Sequence, residues 1–441
     1  MAWLSACRKA SIDQENAPMN APVHYDAALE EAKLNARSLP LSEIDVSDPK
    51  LYQNDVHYPY FERLRREAPV HYRKDGMYGS FWSVSKFKDI MAVETHPEIY
   101  SSEAKLGGIS ITDRPMEFRR SSFISMDPPR HDEQRKVVSP IVAPANLNNM
   151  SDVIRQRTCK VLDSLPRNEV FDWVKLVSIE LTTLMLTTLF DFPEDERHKL
   201  TYWSDIATQD VNAGGIVDSE EKRLEILTEA VRVFTGMWHE RAARPPGFDL
   251  ISMLAHGEAT KNLVNDPAEF LGNLTLLIVG GNDTTRNSMS GGLWALCKHQ
   301  GEYQKLRDNP ALVTSLVPEI IRWQSPIVHM RRTAVADAEL AGQRIRKGDK
   351  VVMWYISGNR DADSIDRPND FIIDRARPRH HLSFGFGVHR CVGNRLAEMQ
   401  LIILWEEIMK RFPTIELMEE PERIYSNFIH GISRMMVRIP A

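Results

Sequence analysis

The stretch that decides the fold runs from His381 to Gln400 and reads HLSFGFGVHRCVGNRLAEMQ. One cysteine, Cys391, is framed there by Phe384, Gly385, Gly387 and Gly393, and the following NRLAEMQLIILWEEI has apolar residues at helical spacing. The glycines permit a tight turn and a close approach of backbone to something flat. Cys391 therefore lies at or just before a helix N-terminus. Backbone N–H groups there, including those of Val392 and Gly393, can face the sulfur and stabilise a thiolate. A nucleophilic cysteine needs a base, and His389 is near in sequence, yet neighbours on a turn generally diverge and no other feature supplies an oxyanion hole. Zinc needs further cysteines or histidines at ligand spacing. A haem iron needs one soft anionic ligand and glycine where the macrocycle passes. A free core cysteine explains none of the glycines.

The rest of the chain sets the bounds. Its 441 residues are 42% hydrophobic and 26% charged, with a formal net charge of -6. That is an ordinary globular composition with no overall electrostatic case for nucleic acid. Cys7, Cys159, Cys297 and Cys391 are too few and too scattered for a disulfide framework, and a reducing cytoplasm is the simplest setting. The opening MAWLSACRKASIDQEN turns to charge too soon for a signal peptide or a membrane span. The apolar run LGNLTLLIVGG contains Asn273 and Thr275 and is flanked by Glu269 and Asp283, which argues for a buried helix. The expectation is a cytoplasmic protein with no transmembrane segment.

Residues 1–45 are polar and alanine-rich and read as a partly flexible extension with one helix in YDAALEEAKLNAR; residues 46–441 read as a single domain. Hairpins are expected in PVHYRKDGMYGSFWSVS, turning on Asp75-Gly76, and around LAGQRIRKGDKVVMWY. Elsewhere the periodicity is helical, so the fold class is mainly α with small β-sheets, α+β. One helix stands out. Asp266, Pro267 and Glu269 form a capping-box arrangement, and the apolar pattern then runs past residue 295 without proline, a length of roughly 45 Å. Gly280, Gly281, Asp283, Thr284 and Thr285 interrupt its middle. Glycine there costs on the order of 1 kcal/mol relative to alanine, and buried polar groups need partners. Such a cost marks a functional site, or else close helix packing with threonines bonded back to carbonyls.

FGFGVHRCVG resembles the haem-thiolate signature of the cytochrome P-450 superfamily. GGNDTT (280–285) resembles its distal-helix acid–alcohol motif, Glu319-Ile320-Ile321-Arg322 its E-x-x-R motif, and RPNDFIIDR (367–375) the meander segment that follows. E-x-x-R alone occurs by chance on many helices, but the four motifs stand in the family's order, and the resemblance covers residues 46–441. It implies the cytochrome P-450 fold, with haem b (Fe-protoporphyrin IX) between the long distal helix and the helix of the proximal cysteine loop. Cys391 is then the iron ligand, its thiolate favouring O–O cleavage. Asp283 and Thr284 organise water and deliver protons. Haem binding falls to Phe384, Gly385, His389 and Gly393, to His131 and Arg135 one helical turn apart in DPPRHDEQRK, and to Arg332 in RRTAVAD. Glu319 and Arg322 read as a structural i,i+3 pair tied to Arg375.

The acid–alcohol pair favours O₂ as co-substrate, with two externally supplied electrons, over direct use of hydrogen peroxide. No flavin or nicotinamide fingerprint is evident, so family analogy implies a ferredoxin and an NAD(P)H-dependent ferredoxin reductase, drawn to a face carrying Arg130, Lys136, Arg390 and Arg395. IVGGNDTTRNSMSGG and LSFGFGVHRCVGNRLAEMQLIIL are most similar to the soluble bacterial group that hydroxylates alkanes and fatty acids at the terminal carbon. Expected pocket residues are Ile109 and Ile111, then Leu277, Val279 and Gly280 on the long helix, then Ile327, Val328 and Met330, and finally Ile429. Their apolar character suits a hydrophobic alkyl chain held by burial, about 0.8 kcal/mol per CH₂. Attack on the chain end requires a narrow channel, because a terminal C–H is harder to break than an internal one. The rival readings are a monooxygenase of another hydrophobic substrate such as a terpenoid, a peroxygenase or isomerase, and a haem-based sensor without turnover. Asp283-Thr284 counts against the sensor.

Overall fold

The organising element is the helix Pro267–Lys298, 32 residues long, or about 48 Å. The computed structural model describes residues 21–441. Asp266 caps the helix by accepting from the N–H groups of Ala268 and Glu269, each at 3.1 Å. The reciprocal half of the capping box is not made. The Glu269 carboxylate instead accepts from Gln134 at 2.6 Å and from Arg130, which ties the helix start to the helix Arg130–Val138.

Two hydrophobic clusters divide the long helix between them. Phe270, Leu271, Leu274 and Ile278 pack with Phe190, Trp203 and Phe234. Met289, Leu293, Ala295 and Leu296 pack with Ile320, Trp405 and Ile408. Between Ile278 and Met289 no residue of this helix belongs to either cluster. The helices Glu180–Phe190, His198–Thr208 and Val313–Gln324 pack around it. The polar, glycine-containing middle thus sits where the helix stops contributing to the core.

A five-stranded sheet lies in the order Val70–Gly76, Gly79–Val84, Lys350–Trp354, His329–Ala334, Tyr100–Ser101. Only the pairing of Gly79–Val84 with Lys350–Trp354 is parallel. The first hairpin forms, but its turn is Met77-Tyr78, with Gly76 opposite Gly79. A register shift between Arg73 and Gly76 absorbs Asp75 at φ 49°, and the Asp45 carboxylate accepts the Met77 N–H at 3.1 Å. The second hairpin pairs Ala338–Leu340 with Gln343–Ile345 through Ala341 and Gly342, both at positive φ. Lys350–Trp354 leaves it for the centre of the large sheet, where all five residues are buried.

The helix Ala21–Ser38 packs on the helix Tyr58–Glu67, and Ala32 and Ala36 join Phe61 and Trp354 in one cluster. The later half of the 1–45 segment is therefore docked on the domain; residues 1–20 lie outside the described residues. Among the described residues no helix is long and apolar enough to cross a membrane.

Glu319 and Arg322 are 0% and 1% exposed. Arg322 donates to both Glu319 oxygens at 2.7 and 2.8 Å, and Arg375 Nε donates to Glu319 Oε2 at 2.8 Å. The other Arg322 donors meet the carbonyls of Asn359, Pro368 and Asp370, and the Ile372 N–H donates to Glu319 at 2.8 Å. This closed network fixes the segment that leads to the cysteine loop.

Candidate active site

The cysteine loop is shaped by two glycines. Gly385 and Gly387 have φ of 66° and 63°, and a Cβ on Gly387 would come within 2.2 Å of the Glu94 carbonyl oxygen. No other residue fits there without moving the backbone. The Cys391 N–H donates to the Phe384 carbonyl at 2.8 Å. Gly393 is the N-cap of the helix Asn394–Arg411. The N–H groups that meet the sulfur are those of Gly393 and Asn394, one residue further along than Val392 and Gly393. Burial pushes the thiol pKa up, and these N–H groups with Arg135 and Arg390 pull it back. The side chain is nevertheless accessible, because it opens on a cavity. A metal cation at the sulfur would deprotonate it outright.

That cavity has a volume of about 520 Å³. Phe384, Gly385, His389, Cys391 and Gly393 all line it, as do His131, Arg135 and Arg332. Along the long helix the wall is Leu277, Val279, Gly280 and Thr284. A Cβ on Gly280 would meet nothing within 4 Å, so open space reaches the backbone there. Thr284 Oγ1 donates to the Gly280 carbonyl at 3.0 Å and is exposed to the cavity.

Asp283 faces the other way. Consecutive helical side chains diverge by about 100°, and Asp283, 0% exposed, is absent from the cavity wall. Its carboxylate accepts from Ser204 at 3.2 Å and Thr208 at 3.4 Å and pairs with Arg286 at 2.6 Å. Arg286 in turn reaches the half-exposed Asp205 at 2.9 Å. Burial raises the Asp283 pKa, and Arg286 only partly offsets that. Thr208 does line the cavity, so one hydroxyl joins Asp283 to it.

The charges by the cysteine are incompletely met. His131 Nδ1 is 2.7 Å from Asp132, and its buried Nε2 has no partner. His389 Nε2 is 3.1 Å from Ser102 Oγ, and its buried Nδ1 has none. Burial, with Arg332, His131 and Arg135 nearby, pushes the His389 pKa down to about 2. Arg332 donates to the Arg331 carbonyl at 2.8 Å and has the buried Glu94 carboxylate only at 3.7 Å. Arg135, Arg332 and two buried ring nitrogens without partners thus face the cavity, beside the Glu94 carboxylate, whose own pKa burial raises. These unfilled donors fit the two propionates of a haem, with the Cys391 sulfur available to the metal.

The pocket candidates divide. Ile109, Leu277, Val279, Gly280, Ile327 and Met330 line the cavity; Ile111, Val328 and Ile429 do not. In extended chain successive side chains take opposite faces, and Ile111 and Val328 go into the cluster with Phe61 and Trp354. Ile429 bridges Ile327, and its neighbour Phe428 lines the cavity instead. Leu224 and Leu227 also line it, a stripe at i,i+3 that is visible in EKRLEIL. Arg114 and Arg120 had no such signal.

Asp55, His57 and His430 form a buried cluster with ligand atoms within 4.8 Å of one another. None lines the cavity. Arg423 donates to Asp55 at 2.8 Å and already supplies that carboxylate with a cation.

The sequence matches the family Cytochrome P450 over residues 216–437. It is 36% identical to linalool 8-monooxygenase of Pseudomonas putida, over 89% of this chain and 98% of that one. Its structure is similar to cytochrome P450-153 from Novosphingobium aromaticivorans, at 44% identity and TM-score 0.84, covering 90% of this chain and 99% of that one. It is similar in the same coverage to CYP153D17 from Sphingomonas sp. PAMC 26605, at 46% identity and TM-score 0.84. The chain belongs to the cytochrome P450 family and is a monooxygenase of it, with haem iron and O₂ as the family's means.

Proposed function

We propose that the protein hydroxylates the terminal carbon of a medium-chain alkane or fatty acid, using haem b and electrons from a ferredoxin. The observation that carries this reading is one cavity in which the Cys391 thiol, the Thr284 hydroxyl and an apolar wall of Ile109, Leu277, Val279, Ile327 and Met330 meet. Bound haem would supply the activation of O₂ and the insertion of one oxygen atom into a C–H bond.

The chain's own groups do the rest. Cys391 would become the anionic ligand as the metal displaces its proton, and the N–H groups of Gly393 and Asn394, with Arg135 and Arg390, favour that charge against the cost of burial. His131, Arg135, Arg332 and His389 would hold the propionates. Thr284 presents its hydroxyl to the cavity and donates it to Gly280 at rest, so the hydroxyl can accept a proton from one side and release one to the other. Asp283, with its pKa raised by burial, holds a proton nearer neutrality than an exposed carboxylate does. Its route to the cavity is the Thr208 hydroxyl and its route to solvent is the side of Arg286 and Asp205. The apolar wall excludes water and holds an alkyl chain by burial, at about 0.8 kcal/mol per CH₂.

A second reading, an acyclic terpenoid substrate, is favoured by the name of the Pseudomonas putida relative, which acts on linalool. Product analysis separates the two. Holoenzyme with ferredoxin, reductase and NAD(P)H is given octane, dodecanoate or linalool in turn. The terminal alcohol of the straight chains as main product, dependent on O₂ and reductant, supports the proposal. Turnover of linalool alone favours the second reading, and products formed from hydrogen peroxide without reductant overturn the ferredoxin dependence.

A further inference from the structure

The cavity has a second charged region, away from the cysteine. Arg114, Arg119, Arg120 and Arg223 line it, against two carboxylates, Glu220 and Asp210. Two of these arginines are committed to the backbone. Arg119 donates to the carbonyls of Arg114 at 2.7 Å and Lys105 at 2.6 Å. Arg223 donates to the carbonyls of Ile206 and Gln209 and to Glu220.

The other two are open. Arg114 Nε lies 3.3 Å from Glu220 in a geometry that makes no hydrogen bond, and it is a buried donor without a partner. Arg120 spends Nη1 alone on the carbonyls of Glu117 and Arg119, which leaves Nε and Nη2 free to donate, and the Glu117 side chain is exposed. Asp210 is bonded by Tyr78 at 3.3 Å and by the Asn212 N–H at 2.8 Å. Burial lowers the pKa of both Arg114 and Arg120, so an anion beside them would recover a cost already present.

Position completes the case. A Cβ on Gly272 of the long helix would lie 3.3 Å from Arg120 Cβ. Gly272 precedes Thr284 by twelve residues, about 18 Å along the helix axis. Between them the wall is apolar, with Leu276, Leu277 and Val279. The residues beside Arg114, namely Asp113, Pro115, Met116 and Glu117, are exposed, which puts this end of the cavity near the protein surface.

Resting on the aliphatic-hydroxylase reading above, we infer that Arg114 and Arg120 form a carboxylate-binding subsite at the mouth of the cavity. The substrate is then a fatty acid, anchored by its carboxylate with its methyl end directed toward Thr284 and Cys391. A charge-assisted pair at one end and burial along the chain fix which carbon arrives at the reacting centre.

The test is calorimetric titration of the holoenzyme at pH 8 with dodecanoate and dodecan-1-ol, chains of equal length. Wild-type protein binds dodecanoate about tenfold more tightly than the alcohol, as expected for bonds to charged groups. The Arg114→Gln/Arg120→Gln protein loses that preference and keeps its affinity for dodecan-1-ol. Glu220→Gln removes the carboxylate that competes for Arg114, and dodecanoate alone then binds more tightly, a gain that a misfolded protein does not mimic. Equal affinity for the two ligands in the wild type, or no gain in Glu220→Gln, overturns the subsite while leaving the hydroxylase reading intact. Binding of neither chain removes that reading and the subsite with it.

Discussion

Two groups of charge, both largely shut off from solvent, differ in how their charges are met. Around Glu319, Arg322 and Arg375 every charge has a partner, and the spare guanidinium donors end on backbone carbonyls. Around His131, Arg135, Arg332 and His389 the nearest carboxylate to Arg332 is 3.7 Å away, and two buried ring nitrogens have no partner. A network closed on itself is structure. One left open toward a cavity is arranged for a ligand that brings the missing partners.

Breaking the closed network has the largest expected effect. Arg322→Met leaves Glu319 with Arg375 alone in a buried setting, and unfolding free energy falls by about 3–5 kcal/mol. Urea denaturation and soluble yield measure it, and a change of less than about 1 kcal/mol would mean that the network is not what holds the segment. The open cluster responds in the opposite sense. Arg135→Gln weakens haem retention by about tenfold or more, measured by transfer of haem to apomyoglobin. The stability of the haem-free protein is unchanged or raised, because burial penalises that guanidinium and the substitution ends the penalty. A fall in haem-free stability as large as that of Arg322→Met would erase the distinction between the two clusters.

Thr284→Ala tests a group that supports no packing, since its hydroxyl bonds only its own helix. Stability moves by less than about 1 kcal/mol, while product formed per O₂ consumed falls several-fold. Unchanged coupling would remove the proton role. The smallest effect is expected at Glu407, which joins the helix Asn394–Arg411 to Arg155 at 2.6 Å and also meets Lys410 and Arg411. Burial raises its pKa, but these three cations overcome that and hold it down at about 2. Because the folded value lies below the unfolded one, the stabilisation is complete above about pH 4.5 and disappears as the pH falls toward 2. Glu407→Gln therefore lowers the thermal midpoint at pH 7 by a few degrees and has progressively less effect below pH 4.5. An effect independent of pH would show that packing, not charge, is at work.

What could be read in the sequence depended on how local its cause is. The cysteine loop was legible because Gly385 and Gly387 are required within a few residues of Cys391. The long helix was legible from Asp266, Pro267 and an apolar pattern that runs past residue 295 without proline. The direction of Asp283 was not, since its partners Ser204 and Thr208 are set by packing with a helix some 80 positions earlier. Ile111, Val328 and Ile429 missed the cavity by one residue, because strand register is fixed by pairing partners and not by composition. The hairpin turn moved for the same reason, through the contact of Met77 and Gly76 with Asp45. Arg114 and Arg120 look like solvated loop residues until the fold brings them to the cavity.

The most direct test of the central assignment is the absorption spectrum of the reduced, carbon-monoxide-bound holoprotein, taken for the wild type and for Cys391→Ser. Thiolate ligation by Cys391 predicts a strongly red-shifted band in the wild type and its loss in the variant, with haem still bound through the propionate cluster. Survival of the red-shifted band in Cys391→Ser would contradict the assignment of Cys391 as the ligand.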